Sequence, residues 1–168
     1  MNPSQNTEVL VTVGINECVV SDNPDSVLVT YALGSCIAVM AWDRLLHIGG
    51  MIHYSLPQAS IHPGQAEVMP AKFGDTGIPF LFRSMYDLGA QKRHLVVKVA
   101  GGACLNESVF DTNMDIGRRN YVILRKMFWK NNIMITAEDT GGRRSRTVKF
   151  RLRDGRTTVS SKGIETVL

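Results

Sequence analysis

Residues 27 to 56 restrict the fold more than any other stretch. Two apolar runs, VLVTYALGSCIAVMAW (27 to 42) and HIGGMIHYSL (47 to 56), are separated only by Asp43, Arg44, Leu45 and Leu46. The part from 37 to 42 is apolar at odd and even positions alike, so as a strand it needs cover on both faces. Around it the sequence reads as further short strands: two between residues 8 and 20 and one from 27 to 31. Others follow at 94 to 100, 133 to 137, 147 to 152 and 157 to 160. Two helices complete the reading. The first carries Phe80, Leu81, Ser84, Met85 and Leu88 at helical spacing, with Asp75 or Thr76 as cap, Pro79 in the first turn and Gly89 as stop. The second runs from about 115 to 130 with Ile116, Ile123, Leu124 and Met127 inward. The expected fold is α/β, with packed mixed and antiparallel sheets covered by two principal helices rather than a doubly wound sheet.

The 168 residues suit one domain, here taken as 1 to 168, and 44% hydrophobic with 20% charged residues suits a globular core. Disorder is expected only in the first residues, MNPSQNT. No apolar run reaches the ~18 residues of a membrane span, and the first residues lack the basic-then-apolar pattern of a secretory signal. Membrane insertion is therefore not expected. Cys18, Cys36 and Cys104 are odd in number and far apart, which argues against a disulfide framework and for a reducing cytoplasm.

The net charge of +4 concentrates in residues 140 to 156, where Arg143, Arg144, Arg146, Lys149, Arg151, Arg153 and Arg156 meet one Asp154. Such a run suits an acidic surface or a phosphate backbone, but Lys149, Arg151 and Arg153 alternate with Phe150 and Leu152 as on a solvated strand face. No nucleic-acid motif accompanies it, so nucleic acid is not an expected partner. No Cys-x2-Cys or His-x3-His pair anchors a zinc site either, and no metal or organic cofactor is expected.

Chemistry enters at Leu33-Gly34-Ser35-Cys36. If strands 36 to 42 and 47 to 53 form a hairpin turning tightly at Arg44 and Leu45, facing residues sum to 89 and Cys36 lies opposite His53. Cross-strand Cβ atoms in such a pair are about 4.5 to 5.5 Å apart, near enough for thiol and imidazole to interact. Ser35 would project to the other face. An adjacent imidazolium lowers a thiol's pKa, and the same histidine later protonates a poor leaving group. Gly34 permits a tight turn that leaves backbone N–H groups for an oxyanion. The plainer alternative stays open at this point, since a cysteine in an apolar run is more often a small core residue and a lone histidine often structural.

The whole pattern, VLVTYALGSCIAV with IGGMIHYSLP, then AGGAC (100 to 104), DIGRRN (115 to 120) and AEDTGGRRSR (137 to 146), resembles the CheD family of chemoreceptor glutamine deamidases. VGINE at 13 to 17 adds to the likeness, which extends over nearly the entire chain. The resemblance implies a fold related to cysteine-dependent toxin deamidases. It also implies a catalytic set with Thr-x5-Cys-x16-His spacing, which falls on Thr30, Cys36 and His53. Cys36 would attack, His53 would move protons and Thr30 would orient the histidine. The implied activity is hydrolysis of glutamine side-chain amides on methyl-accepting chemotaxis receptors, with methyl-ester hydrolysis by the same chemistry. CheC, a phosphatase of the chemotaxis response regulator, is the implied protein partner. Cys18 and Cys104 have no place in that pattern and read as packing thiols.

Overall fold

A computed structural model describes residues 7 to 104 and 115 to 168. The expected disorder of the first residues falls, but for Thr7, outside that range. Among the described residues ten strands form two five-stranded sheets. One contains β1 (Val9–Thr12), β3 (Ser26–Leu33), β8 (Arg146–Arg151), β9 (Thr157–Ser161) and β10 (Ile164–Val167), in that order. The other runs β2 (Glu17–Ser21), β5 (Ile48–Tyr54), β4 (Ile37–Asp43), β6 (Leu95–Gly101) and β7 (Ala137–Thr140). β1 with β3 and β6 with β7 are parallel and the remaining pairs antiparallel, which makes both sheets mixed.

The unalternated β4 is the central strand of its sheet, and its two faces serve two cores. Ala38 and Met40 join Leu28, Met51, Val148 and Phe150 between the sheets. Ile37, Val39 and Ala41 join Ile52, Leu81, Met85, Leu124 and Phe128 beneath the helices. The result is three layers, sheet on sheet with helices on the outer face of one sheet, so both sides of β4 are shielded from water as its composition requires.

The two principal helices are α2 (Gly74–Asp87) and α3 (Ile116–Lys130), preceded by the four-residue α1 (Gln65–Val68). α3 is capped by Asp115, whose carboxylate accepts from Arg118 N–H, and Gly117, Asn120, Leu124 and Phe128 form its buried stripe. Ile116, Ile123 and Met127 flank that stripe half-buried. The cap of α2 is Phe73, two or three residues before the expected one, so Pro79 lies inside the helix. Asp75 is not the cap, because its carboxylate accepts from Ala59 N–H in the preceding loop. Ile78, Leu81, Phe82 and Met85 face the core, whereas Phe80 and Leu88 lie on the exposed side.

Four of the seven basic residues in the run pair with carboxylates of the same molecule, although only Arg146 among the seven is buried. Arg146 is buried and donates to Asp139, Gly141 and Arg144 oxygens, while Arg144 pairs with the other Asp139 oxygen. Arg151 pairs with Asp154 and Glu8, and Arg153 with Asp25. Arg146 is therefore a strut and not a docking residue. Among the described residues no helix is long and apolar enough to cross a membrane.

Candidate active site

The β4–β5 hairpin differs from the expected one in its turn. Ala38 faces His53 and Ile37 faces Tyr54, a register two residues away from the tight-turn reading. Asp43 causes the difference: its Oδ1 accepts from the N–H groups of Leu45 and Leu46, at 3.0 and 3.2 Å, and holds a four-residue loop closed by His47 at φ +55°. A two-residue slip keeps every side chain on its face. Cys36, just before β4, thus shares the inter-sheet face with His53 as its diagonal rather than direct neighbour, at a typical Cα separation of about 7–8 Å that a long ring can bridge.

Thr30 comes from the other sheet. β3 pairs regularly with β8 up to Thr30, then the register shifts before Leu33. Tyr31 and Ala32 bulge outward, Ala32 at φ +52°, so that both Thr30 and Leu33 are buried although three residues apart. Thr30 Oγ1 lies 2.8 Å from His53 Nδ1. The other ring nitrogen, Nε2, is buried without a hydrogen-bond partner. The histidine is held at one nitrogen and open at the other.

Cys36 is clamped through its backbone. Its carbonyl accepts from Gly102 N–H at 2.8 Å, and Gly34 O accepts from Ala103 N–H at 2.9 Å. Gly101, at φ +110°, makes this approach possible, since a Cβ there would stand 2.2 Å from the Cys36 carbonyl oxygen. The Gly-Gly-Ala motif is therefore the strap over the cysteine segment. Across α3, Asn120 Nδ2 donates to Ser35 O and Ser55 O, both at 3.0 Å, and the Tyr54 hydroxyl donates to Asn120 O at 2.8 Å. Nothing in the local sequence marks Asn120 or Tyr54 for a role at this site. Both lie within motifs that carried the resemblance, DIGRRN and MIHYSLP, but only the packing of α3 on the hairpin reveals their contacts.

Electrostatics favour neutral groups at rest. Burial pushes the Cys36 thiol up, opposed in lesser part by the backbone N–H of the same residue. Burial also depresses His53 to about 4. The resting pair is thus thiol and neutral imidazole, instead of the thiolate and imidazolium expected from proximity alone. Tyr54 is held well above its usual value by burial first and by neighbouring Cys36 second. Cys18 is pushed up to about 12 by burial, as befits a packing thiol. All three cysteines are thiols, and among the described residues no three metal-binding side chains converge.

A half-buried thiol, a buried neutral imidazole with one free nitrogen and a hydroxyl fixing its other nitrogen, on a two-sheet scaffold, are chemically able to carry out thiol-dependent acyl transfer. The comparisons with known proteins are more specific, and by them the chain belongs to the CheD family. A family model described as CheD chemotactic sensory transduction matches residues 55–161. A Syntrophus aciditrophicus protein named "Probable chemoreceptor glutamine deamidase CheD 1" is 49% identical over 91% of this chain and 94% of its own. An Anaeromyxobacter dehalogenans relative, "Probable chemoreceptor glutamine deamidase CheD 2", is 47% identical over 90% and 94%. The fold also resembles the crystal structure of Neisseria meningitidis protein NMB0706, with a TM-score of 0.51 at 10% identity, covering 88% of this chain and 71% of that one.

Proposed function

We propose that this chain hydrolyses glutamine side-chain amides on methyl-accepting chemotaxis receptors to glutamate and ammonia, as a single cytoplasmic domain without metal or organic cofactor. The observation that carries the reading is the 2.8 Å contact between Thr30 Oγ1 and His53 Nδ1, which leaves Nε2 unpartnered on the face shared with Cys36. The relatives' names support the substrate class.

With Nδ1–H donating to Thr30, the Nε2 lone pair receives the Cys36 proton as sulfur attacks the amide carbon. The Cys36 N–H, next to the attacking sulfur in the chain, donates to the developing oxyanion. The C–N bond then breaks as Nε2 returns its proton to the departing nitrogen, leaving a thioester and ammonia. Water, deprotonated at the same nitrogen, adds to the thioester. The C–S bond breaks, the thiol is reprotonated and glutamate is released. Glutamyl methyl esters fit the same sequence with methanol as leaving group. Converting a neutral amide into a carboxylate changes the electrostatics of the receptor helices and hence their signalling balance. Binding to CheC belongs to the same proposal, checked by the phosphatase's rate with and without this chain.

Mass spectrometry of a receptor cytoplasmic fragment tests the core of it. Wild type raises the fragment mass by about one dalton per converted glutamine and Cys36→Ala by none, if sulfur is the nucleophile. Equal conversion by both proteins, or by neither, contradicts the proposal.

A further inference from the structure

Asn120 is fully buried on α3, yet its side chain spends both amide protons on backbone oxygens of the hairpin. The β4–β5 ladder stops at Ile37 facing Tyr54. The next pair in register is Cys36 with Ser55. At that point the Asn120 amide stands between the strands and ties Ser35 O to Ser55 O, replacing the ladder where the chain must open around the sulfur. Tyr54, the last ladder residue, returns a hydrogen bond from its hydroxyl to Asn120 O.

The Ser35 carbonyl and the Cys36 N–H belong to one planar trans peptide, so anchoring the oxygen fixes where the N–H points. Donation to that oxygen also polarises the peptide and makes its N–H a stronger donor. Gly102 pins the following peptide at Cys36 O. Cys36 is thereby fixed from both sides, on one side by a side chain that reaches from the helical layer. The amide orientation is dictated by its two acceptors, which leaves Oδ1 buried and without a partner. A residue serving only to fill space would not need to bury an unsatisfied oxygen.

We infer that Asn120 is a positioning residue for the acyl-transfer step: by holding the Ser35–Cys36 peptide plane it aims the Cys36 N–H at the oxyanion. The inference rests on the deamidase reading above and adds to it a residue that acts through the backbone of the nucleophile.

Two rates separate this role from packing. Receptor deamidation builds charge on a carbonyl oxygen, whereas alkylation of Cys36 by iodoacetamide displaces iodide and needs no oxyanion donor. Asn120→Ala is expected to lower kcat for deamidation by about 100-fold, the size of a lost oxyanion donor, with KM and the Cys36 alkylation rate within about threefold of wild type. A parallel fall in both rates, or a kcat within about threefold of wild type, overturns the inference. Should Asn120→Ala fail to fold, Tyr54→Phe, which removes the tether on Asn120 O and keeps the ring, decides. Its expected signature is about a tenfold loss of kcat with alkylation unchanged, and equal losses or none overturn the role. A wild-type protein that leaves receptor glutamines intact refutes the deamidase reading and this inference with it. An active wild type with an unaffected Asn120→Ala refutes this inference alone.

Discussion

The two ends of the β4–β5 hairpin bury polar side chains for opposite purposes. At the turn end, Asp43 is fully buried, and its oxygens accept from the N–H groups of Leu45, Leu46 and Gln91 with His94 Nδ1 3.4 Å away. Burial alone would raise that carboxyl. The three N–H groups and His94 together hold it below the ordinary carboxylate value. At the open end, His53 has the Thr30 contact at one nitrogen and nothing at the other, and Asn120 Oδ1, in the helical layer on the other side of these strands, is also unsatisfied. His47 Nδ1 and His94 Nδ1 near the turn also lack a hydrogen bond, the latter having only its 3.4 Å approach to Asp43, but both residues are only half-buried, where a small movement reaches water. The same strand pair is thus closed chemically at one end and left open at the other. Unsatisfied polar atoms on fully buried side chains are costly; among the described residues they are His53 Nε2 and Asn120 Oδ1 at the Cys36 end and Arg146 Nε elsewhere, with none at the turn end.

Breaking the structural end should cost stability and spare the chemistry. Asp43→Ala strands three N–H groups near a buried site and is expected to lose about 4 kcal/mol of unfolding free energy. Denaturant unfolding measures the loss, and the fraction still folded should keep wild-type kcat. A kcat that falls with Asp43 would mean the two ends are coupled.

The working end responds to acid instead. Unfolded, His53 takes up a proton near its ordinary 6.5, but folded only near about 4, so the unfolded state binds more protons between those values. Stability is then fully present above pH 6.5, falls as pH drops toward 4 and levels off below, by about 3 kcal/mol for a shift of that size. Unfolding curves of wild type and His53→Gln across this window isolate the contribution, which should vanish in the variant. A wild-type His53 that titrates near 6.5 in the folded protein would contradict this stability window and the burial that produces it.

A smaller effect sharpens the contrast within the site. Thr30→Val keeps the shape but not the hydroxyl at His53 Nδ1, and should lower kcat by about 10 to 100-fold, with a stability loss of about 1 kcal/mol. Steady-state deamidation at neutral pH reads the first quantity and thermal unfolding the second.

Much of this was legible in the sequence, for local reasons. The unalternated run at 37 to 42 announces cover on both faces, and β4 is buried on both. Parity alone puts Cys36 and His53 on one face, because a two-residue slip preserves it. The slip itself was hidden in Asp43, whose carboxylate builds a longer turn than the apolar pattern suggests. Residues 133 to 136 have strand composition but precede β7, which begins at Ala137 where pairing with β6 starts. β10 was missed because Ile164–Val167 is exposed throughout and held through β9 alone, so no burial pattern marks it. The bulge that brings Thr30 to His53, the burial of Arg146 and the reach of Asn120 to Ser35 all depend on contacts between distant segments, which periodicity cannot encode.

The central claim is that the sulfur at position 36 becomes bonded to the substrate carbonyl, and trapping that bond tests it most directly. Acid-quenched mixtures of enzyme and receptor fragment, digested and mapped by mass spectrometry, should contain a thioester joining the Cys36 peptide to a receptor glutamyl residue, lost on treatment with hydroxylamine. A thioester on Cys18 or Cys104, or glutamate accumulating undiminished in a Cys36→Ala reaction, would contradict it.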